Sequence, residues 1–188
     1  MQYSYSWYIH QFEESKEQAN QFLHSIDNTY FLRRPNQDQW CVAECYDHLI
    51  KFGNIYLDNL SEQLSTAQQA GELPPTFPPR WLWKKVADFF EPPYTLKLST
   101  ISSMQPDIIQ AEYTKADLLN KYIELQDRYI NQLKHSKDKA IHLNEMWIPH
   151  PIMSFLKLSA SEYYLLAAAH QRRHQWQAEQ ILDTLKNS

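Results

Sequence analysis

The sequence predicts an all-α protein: a four-helix bundle in up-down-down-up order, with a long crossover connection between its second and third helices. Three observations carry this. The 188 residues include only two glycines, Gly53 and Gly71, where average usage would give about thirteen. A fold rich in tight β-turns, which need glycine at positive φ, is therefore disfavoured. Seven of the ten prolines fall between Pro74 and Pro106, and the others are Pro35, Pro149 and Pro151. Four long stretches are thus free of the residue that breaks helix interiors. Three of them open on a capping-box pattern, with a capping side chain followed three positions later by an acid.

The elements follow in order. The first helix spans about 6–28. The second runs from about 42 to 69, opening on Cys41 with Glu44 three residues on. Gly71 stands where this helix should stop, which suits a C-terminal cap. Gly53 lies inside it, where glycine costs about 1 kcal/mol relative to alanine. A close approach by the crossover or a neighbouring helix accounts for it. The third helix follows Thr114, whose partner is Asp117, and ends near Ser136. The fourth follows Ser159, with Glu162 completing its box, and continues to about Lys186.

The connections are unequal. A short one makes the first two helices antiparallel neighbours. The stretch from about Ala70 to Tyr113 is too long for a plain loop in a compact domain. It carries a short helical piece, roughly Trp81 to Phe90, then extended chain through Pro92–Pro93. Such a connection can cross the bundle and leave the second and third helices parallel. The linker before the fourth helix, about 137–158, carries Trp147, Pro149, His150 and Pro151. One domain, 1–188, is expected.

Composition narrows the function. Two glycines leave no G-x-G-x-x-G and no phosphate-cradling loop. A net charge of −4 and a pI near 6.0 give no basic footprint for nucleic acid. No run approaches eighteen apolar residues, so no membrane span is expected. Met1–His10 has neither a basic nor an apolar leader region. Cys41 and Cys45 read as reduced core or cap residues, and a cytoplasmic location follows.

The chemistry concentrates in histidines. At spacings of three and four, Tyr163, Ala167, His170, His174, Gln177, Ile181 and Leu185 form one stripe of the fourth helix. It is apolar at both ends and polar in the middle, so His170 and His174 point inward, one above the other. The second helix offers Cys45, His48, Phe52, Ile55 and Asn59, which puts His48 on an inward face too. A lone histidine on an apolar stripe is commonly a satisfied core residue. Three from two helices can instead meet inside the bundle, and three neutral imidazoles suit Zn²⁺, Ni²⁺, Fe²⁺ or Cu²⁺ with positions left open.

The neighbours divide between structure and chemistry. Glu44, one turn before His48, reads as the capping acid or as a carboxylate near the metal, the one nearby candidate for a catalytic base. Asp47 reads as solvated. Gln177 is placed to hydrogen-bond a ligand or substrate. Arg172 and Arg173 fall away from the stripe's centre, with a surface or anion-binding role open. Trp81, Trp83, Phe89, Phe90 and Tyr94 either cover the core at one end or wall a pocket for an apolar, flat substrate. His150 reads as a loop residue, and His10, His24, His135 and His142 carry no partner pattern.

Two motifs give this a resemblance. Trp40-Cys41-Val42-Ala43-Glu44-Cys45-Tyr46-Asp47-His48-Leu49 is similar to W-S-x-x-E-x-x-x-H-L of the DinB/YfiT-like family. His170-Gln171-Arg172-Arg173-His174-Gln175-Trp176-Gln177 is similar to its H-x-x-R-H-x-x-Q. Pro92-Pro93-Tyr94-Thr95-Leu96-Lys97 followed by Pro106 resembles the crossover of one branch, and Pro149-His150-Pro151 fits as well. Cys41 departs from the pattern, which has Ser there.

The resemblance implies a metal held by His48, His170 and His174, with zinc or nickel often bound, in a protein that often dimerises. Such proteins act on small molecules, as thiol transferases with a low-molecular-weight thiol as co-substrate or as metal-dependent hydrolases. The alternative is a non-catalytic metal-binding bundle with a structural or stress-related role. One geometric demand goes with the ligand set. In antiparallel helices, His48 lies roughly 9 Å from its end of the bundle and the pair about 18–24 Å from Lys186. The heights meet only if the fourth helix overhangs by about two turns.

Overall fold

The computed structural model describes residues 2–94, 100, 102–106, 114–150 and 155–187. The protein is mostly helical, as the proline map predicts. Six α-helices are present among these residues: α1 (Tyr5–Ser25), α2 (Asn28–Phe31), α3 (Val42–Thr66), α4 (Trp81–Phe90), α5 (Lys115–Asp138) and α6 (Ala160–Lys186). A 3₁₀ turn, Ser102–Met104, lies in the crossover. The expected linker before the last helix instead forms a small antiparallel ribbon, β1 (Trp147–Pro149) on β2 (Lys157–Ser159), with Ile148 opposite Leu158. Three-residue strands carry too little alternation to register in sequence.

The helix starts obey their capping side chains. Ser4 accepts from the Trp7 N–H at 3.1 Å. Thr114 and Asp117 close a reciprocal box, as do Ser159 and Glu162. At α3 the Cys41 N–H donates to Glu44 Oε2 at 2.8 Å, and the Cys41 side chain faces the N–H of Glu44. The ends need correction. The first helix does not reach residue 28. It stops at Ser25, because Asp27 caps a new short helix by accepting from the Thr29 N–H at 2.8 Å. The second stops at Thr66, with Ala67 extended. Gly71 is therefore no cap. It lies outside any helix and its φ is not positive.

The long helices meet along consistent ladders. Phe12 stacks on Tyr129, while Lys16 pairs with Asp127 and Lys115 donates to the Ile26 carbonyl, so α1 and α5 run antiparallel. Tyr46 meets Tyr122 and Gln132 reaches Ser61, so α3 and α5 run parallel. Tyr46 bonds Gln175 while Tyr56 packs on Tyr163, so α3 and α6 run antiparallel. Buried tyrosines knit helices to connections. Tyr5 Oη donates to the Ile141 carbonyl at 2.7 Å, and Tyr8 Oη donates to the Phe77 carbonyl at 3.2 Å.

Beyond Phe52 the buried face of α3 runs through Gly53, Tyr56, Leu57 and Leu60, not through the expected Ile55 and Asn59. Gly53 faces the neighbouring helix. A Cβ there would lie 2.6 Å from Leu125 Cδ2 and 2.8 Å from Cδ1 of α5. Leu125 is itself buried, so a larger side chain must displace core atoms. Gly53→Val is expected to destabilise the protein by about 2 kcal/mol through overpacking, read as a lower urea midpoint. Adding Leu125→Ala should recover part of the loss. An unchanged midpoint for the single variant would show that the two helices separate freely at this level.

Candidate metal centre

Packing α3 antiparallel to α6 brings the three sequence-predicted histidines together. His48 lies in the second turn of α3, and His170 and His174 are a turn apart on α6. His170 Nε2 lies 3.2 Å from His48 Nε2 and 3.0 Å from His174 Nε2. One ligand atom from each residue lies within 4.8 Å of the others, and all three residues are buried. The predicted overhang is also present. His48 and His174 are level, so the remaining turns of α6 continue past the start of α3.

Two of the rings are fixed from behind. His48 Nδ1 lies 2.7 Å from the Met104 carbonyl, and His174 Nδ1 lies 2.8 Å from Gln177 Oε1. Both partners are acceptors, so each Nδ1 carries the proton and each Nε2 presents a lone pair inward. His170 Nε2 carries at most one proton, so at most one of its two short N···N contacts is a hydrogen bond. The other sets lone pairs against one another unless a cation lies between them. His170 Nδ1 is buried without a hydrogen-bond partner among the described residues.

Burial lowers the pKa of His48 and drives those of His170 and His174 well down. The mutual proximity of the rings adds to the effect at His170 and His174. Neutral imidazole is the form that binds a metal. The convergent nitrogens, their assigned protons and their neutrality together fit a divalent ion.

Gln177 bonds a ligand candidate, as its position allowed. Gln177→Ala is expected to weaken metal affinity about 10–100-fold, as for other groups that orient a ligating histidine. Competition against a chromophoric chelator measures this. Undiminished affinity would mean that the His174 ring is held by packing alone.

Glu44 is engaged otherwise than a catalytic base would be. Its Oε2 accepts from the Cys41 N–H and from Arg34 Nε, both at 2.8 Å, and its Oε1 accepts from Arg34 Nη2. Burial alone would raise its pKa, but the bonds from Arg34 and Cys41 prevail and hold it below the ordinary carboxyl value. A general base at neutral pH needs the opposite shift. The geometry assigns this side chain to the cap.

Asp47 is buried and lies 3.4 Å from Lys51 Nζ, where a solvated role was expected. Arg172 clasps Glu91 and Gln11, tying α6 to the end of α4 and to α1. Arg173 is buried and lies over Tyr94, its guanidinium carbon 3.5 Å from the ring centroid. His150 is buried between Trp83 and Tyr56, not a surface loop residue. His10 and His24 are exposed on α1, and Cys41 and Cys45 are free and buried.

The imidazoles open into a cavity of about 710 Å³. The overhanging end of α6 forms one wall through Trp176, Gln180 and Ile181, and the loop from Arg34 to Trp40 forms another. Of the five aromatics singled out in the crossover, Phe90 and Tyr94 line it. Trp83 is in the core, while Trp81 and Phe89 face solvent. Those two correct the expectation that the whole set closes the bundle. The Thr95-Leu96-Lys97 part of the crossover motif and Pro151 lie outside the described residues.

Sequence reasoning missed three contacts. The Met104 carbonyl is a backbone group with no residue signature. Trp40 stands over the centre, 5.1 Å from the His48 ring and 5.7 Å from the His174 ring. Its place one residue before the α3 cap was its signal. The stacking of Arg173 on Tyr94 joins segments nearly eighty positions apart.

The profile of the DinB superfamily matches residues 11–178. No curated protein and no solved structure matches the chain. Among the described residues, no helix is long and apolar enough to cross a membrane.

Proposed function

The chain belongs to the DinB superfamily, and on that premise we propose that it is a metal-dependent enzyme whose ion is held by His48, His170 and His174. The observation that carries this reading is the convergence of three Nε2 atoms, two of them with the opposite ring nitrogen bonded to an acceptor. Zinc or nickel is the ion we favour, since both accept neutral imidazole. When bound with open positions, such an ion supplies Lewis acidity that lowers the pKa of water or of a low-molecular-weight thiol.

The chain's own residues do the rest. Met104 and Gln177 hold two ligands in one tautomer and orientation. Trp40, Phe52 and Phe90 wall the cavity beside the imidazoles. Glu44 keeps Arg34 and the start of α3 in place. The reaction is then hydrolysis or S-transfer on a small molecule. We also read the four long helices as an up-down-down-up bundle, and the protein as a cytoplasmic homodimer.

Elemental analysis of protein purified without an affinity tag tests the centre. The expected result is about one divalent ion per chain, lost in His48→Ala. A metal-free protein whose metal uptake and stability are the same in His48→Ala would overturn it. A panel of thiol-transfer and hydrolysis assays tests the chemistry. One observation favours a second reading, a non-catalytic metal-binding bundle. Both oxygens of Glu44 are engaged, which leaves exposed Asp38 as the other carboxylate lining the cavity. Stoichiometric metal with no turnover across the panel would support that reading.

A further inference from the structure

Five aromatic rings line the cavity together with the imidazoles: Trp40, Phe52, Phe90, Tyr94 and Trp176. All five are half-buried, whereas Phe12, Tyr129 and Tyr163 of the bundle core are fully buried. A ring placed for folding alone gains most when it is fully buried. These rings instead gather around the centre. Trp40 is stacked on His174, Phe52 lies 4.1 Å from the His170 ring, and Phe90 meets that same ring edge-on at 5.7 Å. Tyr94 and Trp176 meet edge-on at 5.0 Å. Charge in the lining is already engaged at Arg34 and Glu44, which close a two-pronged pair, and at Arg173, which is buried against the Tyr94 face. Asp38 is exposed. A concave lining that is mostly apolar and aromatic is the form of a small-molecule site.

We propose that this cavity takes a substrate with a flat, uncharged aromatic body, held against these rings with its reacting group at the three imidazoles. Aromatic side chains gain from offset or edge-on contact with a flat ring beyond what burial of its area supplies. A puckered ring of the same size gains the burial alone. The cavity of about 710 Å³ falls within the range of about 300–1,000 Å³ that receives such molecules. The proposal names the substrate class of the centre described above and rests on that reading for the chemistry, but the aromatic site itself uses side chains that are not ligands.

Hydroxamates test it, because one zinc-chelating headgroup can carry different bodies. Zinc-loaded protein is titrated calorimetrically with acetohydroxamate, cyclohexanecarbohydroxamate and benzohydroxamate, with metal content and Tm read in the same samples. Benzohydroxamate should bind at least about tenfold more tightly than acetohydroxamate. It should also bind about threefold or more tightly than the cyclohexane compound. Trp176→Ala should cut the first advantage at least about threefold, and Phe90→Leu serves the same end if that variant does not fold. Metal-free protein is compared by ligand-observed NMR with benzyl alcohol and cyclohexylmethanol, which carry no chelating group.

Equal affinities for benzohydroxamate and acetohydroxamate overturn the proposal, and so does a cyclohexane compound that binds as tightly as the benzene one. An advantage of unchanged size in folded Trp176→Ala and Phe90→Leu overturns it too, since the ring would then lie elsewhere. A protein that takes up no zinc, yet prefers benzyl alcohol and loses that preference in Trp176→Ala, supports the aromatic site while refuting the metal centre. Zinc bound at full stoichiometry with no aromatic preference in either comparison gives the reverse, so the two failures are distinct.

Discussion

His170→Ala should take metal content from stoichiometric to trace and abolish the stabilisation that metal confers. Wild-type protein in metal at a thousandfold excess over its Kd gains about 4.1 kcal/mol from mass action alone. The variant should gain nothing, so its Tm with and without added ion coincides. His170 is the most informative of the three because its Nε2 faces both of the others, at 3.2 and 3.0 Å. Removing it leaves two imidazoles on different helices and breaks the shared point. In metal-free protein the variant also loses the packing of this buried ring on Phe52, which lowers Tm by itself, so the readout is the metal-induced shift and not Tm alone. An ion retained at full stoichiometry with an unchanged metal-induced shift would show that the ion lies elsewhere.

The second large effect concerns Arg80 and Glu162. The Glu162 side chain is 1 % exposed and that of Arg80 50 %. One carboxylate receives Arg80 Nε at 2.7 Å, Arg80 Nη2 at 2.8 Å, the Arg80 backbone N–H at 2.9 Å and the Ser159 N–H at 2.8 Å. Arg80 also donates to the Lys157 carbonyl and lies over Trp147. A single side chain thus joins the start of α4, the ribbon and the cap of α6. Arg80→Ala leaves a buried carboxylate with its backbone donors alone. It should cost about 2–3 kcal/mol, below the full penalty for a wholly buried pair because the arginine is half in water. Urea denaturation measures it.

The pH dependence follows the same group. Burial alone would raise the Glu162 pKa, but the bonds from Arg80 and Ser159 outweigh it and hold the value below the ordinary 4.5. A carboxyl depressed in the folded state adds stability that is full above the unfolded value and lost as pH falls through the folded one. Wild-type protein should therefore lose stability below about pH 4.5, and Arg80→Ala should lose less over that interval. An identical pH slope in the two proteins would remove Glu162 from the acid transition.

Much of this was legible in the sequence, for identifiable reasons. Proline position marked the long helices because a missing N–H and a ring clash act locally. Box residues such as Ser159 and Glu162 marked their starts for the same reason. The ligand candidates were legible because two histidines four apart on an inward stripe have few structural explanations. Helix ends were less so: Gly71 looked like a terminator, but α3 had already stopped at Thr66.

What escaped the sequence depends on the third dimension. Nothing in α3 says that Gly53 must admit Leu125 of α5. Nor does anything around Met104 say that its carbonyl will hold a histidine. The awkward heights of the histidines were a real clue. They required α6 to run on past α3, and that projecting end is a wall of the cavity.

Trp40 gives the centre an optical consequence. Of the six tryptophans, it is the one whose ring meets the clustered imidazoles among the described residues, stacked on His174 with 27° between the planes. An indole in that position has its excited state altered by whatever changes charge or electron density on the neighbouring ring. Its emission is therefore expected to change when an ion binds the three histidines, and Trp40→Phe should remove that change. Such a change would follow the filling of the site with neither a label nor a known substrate.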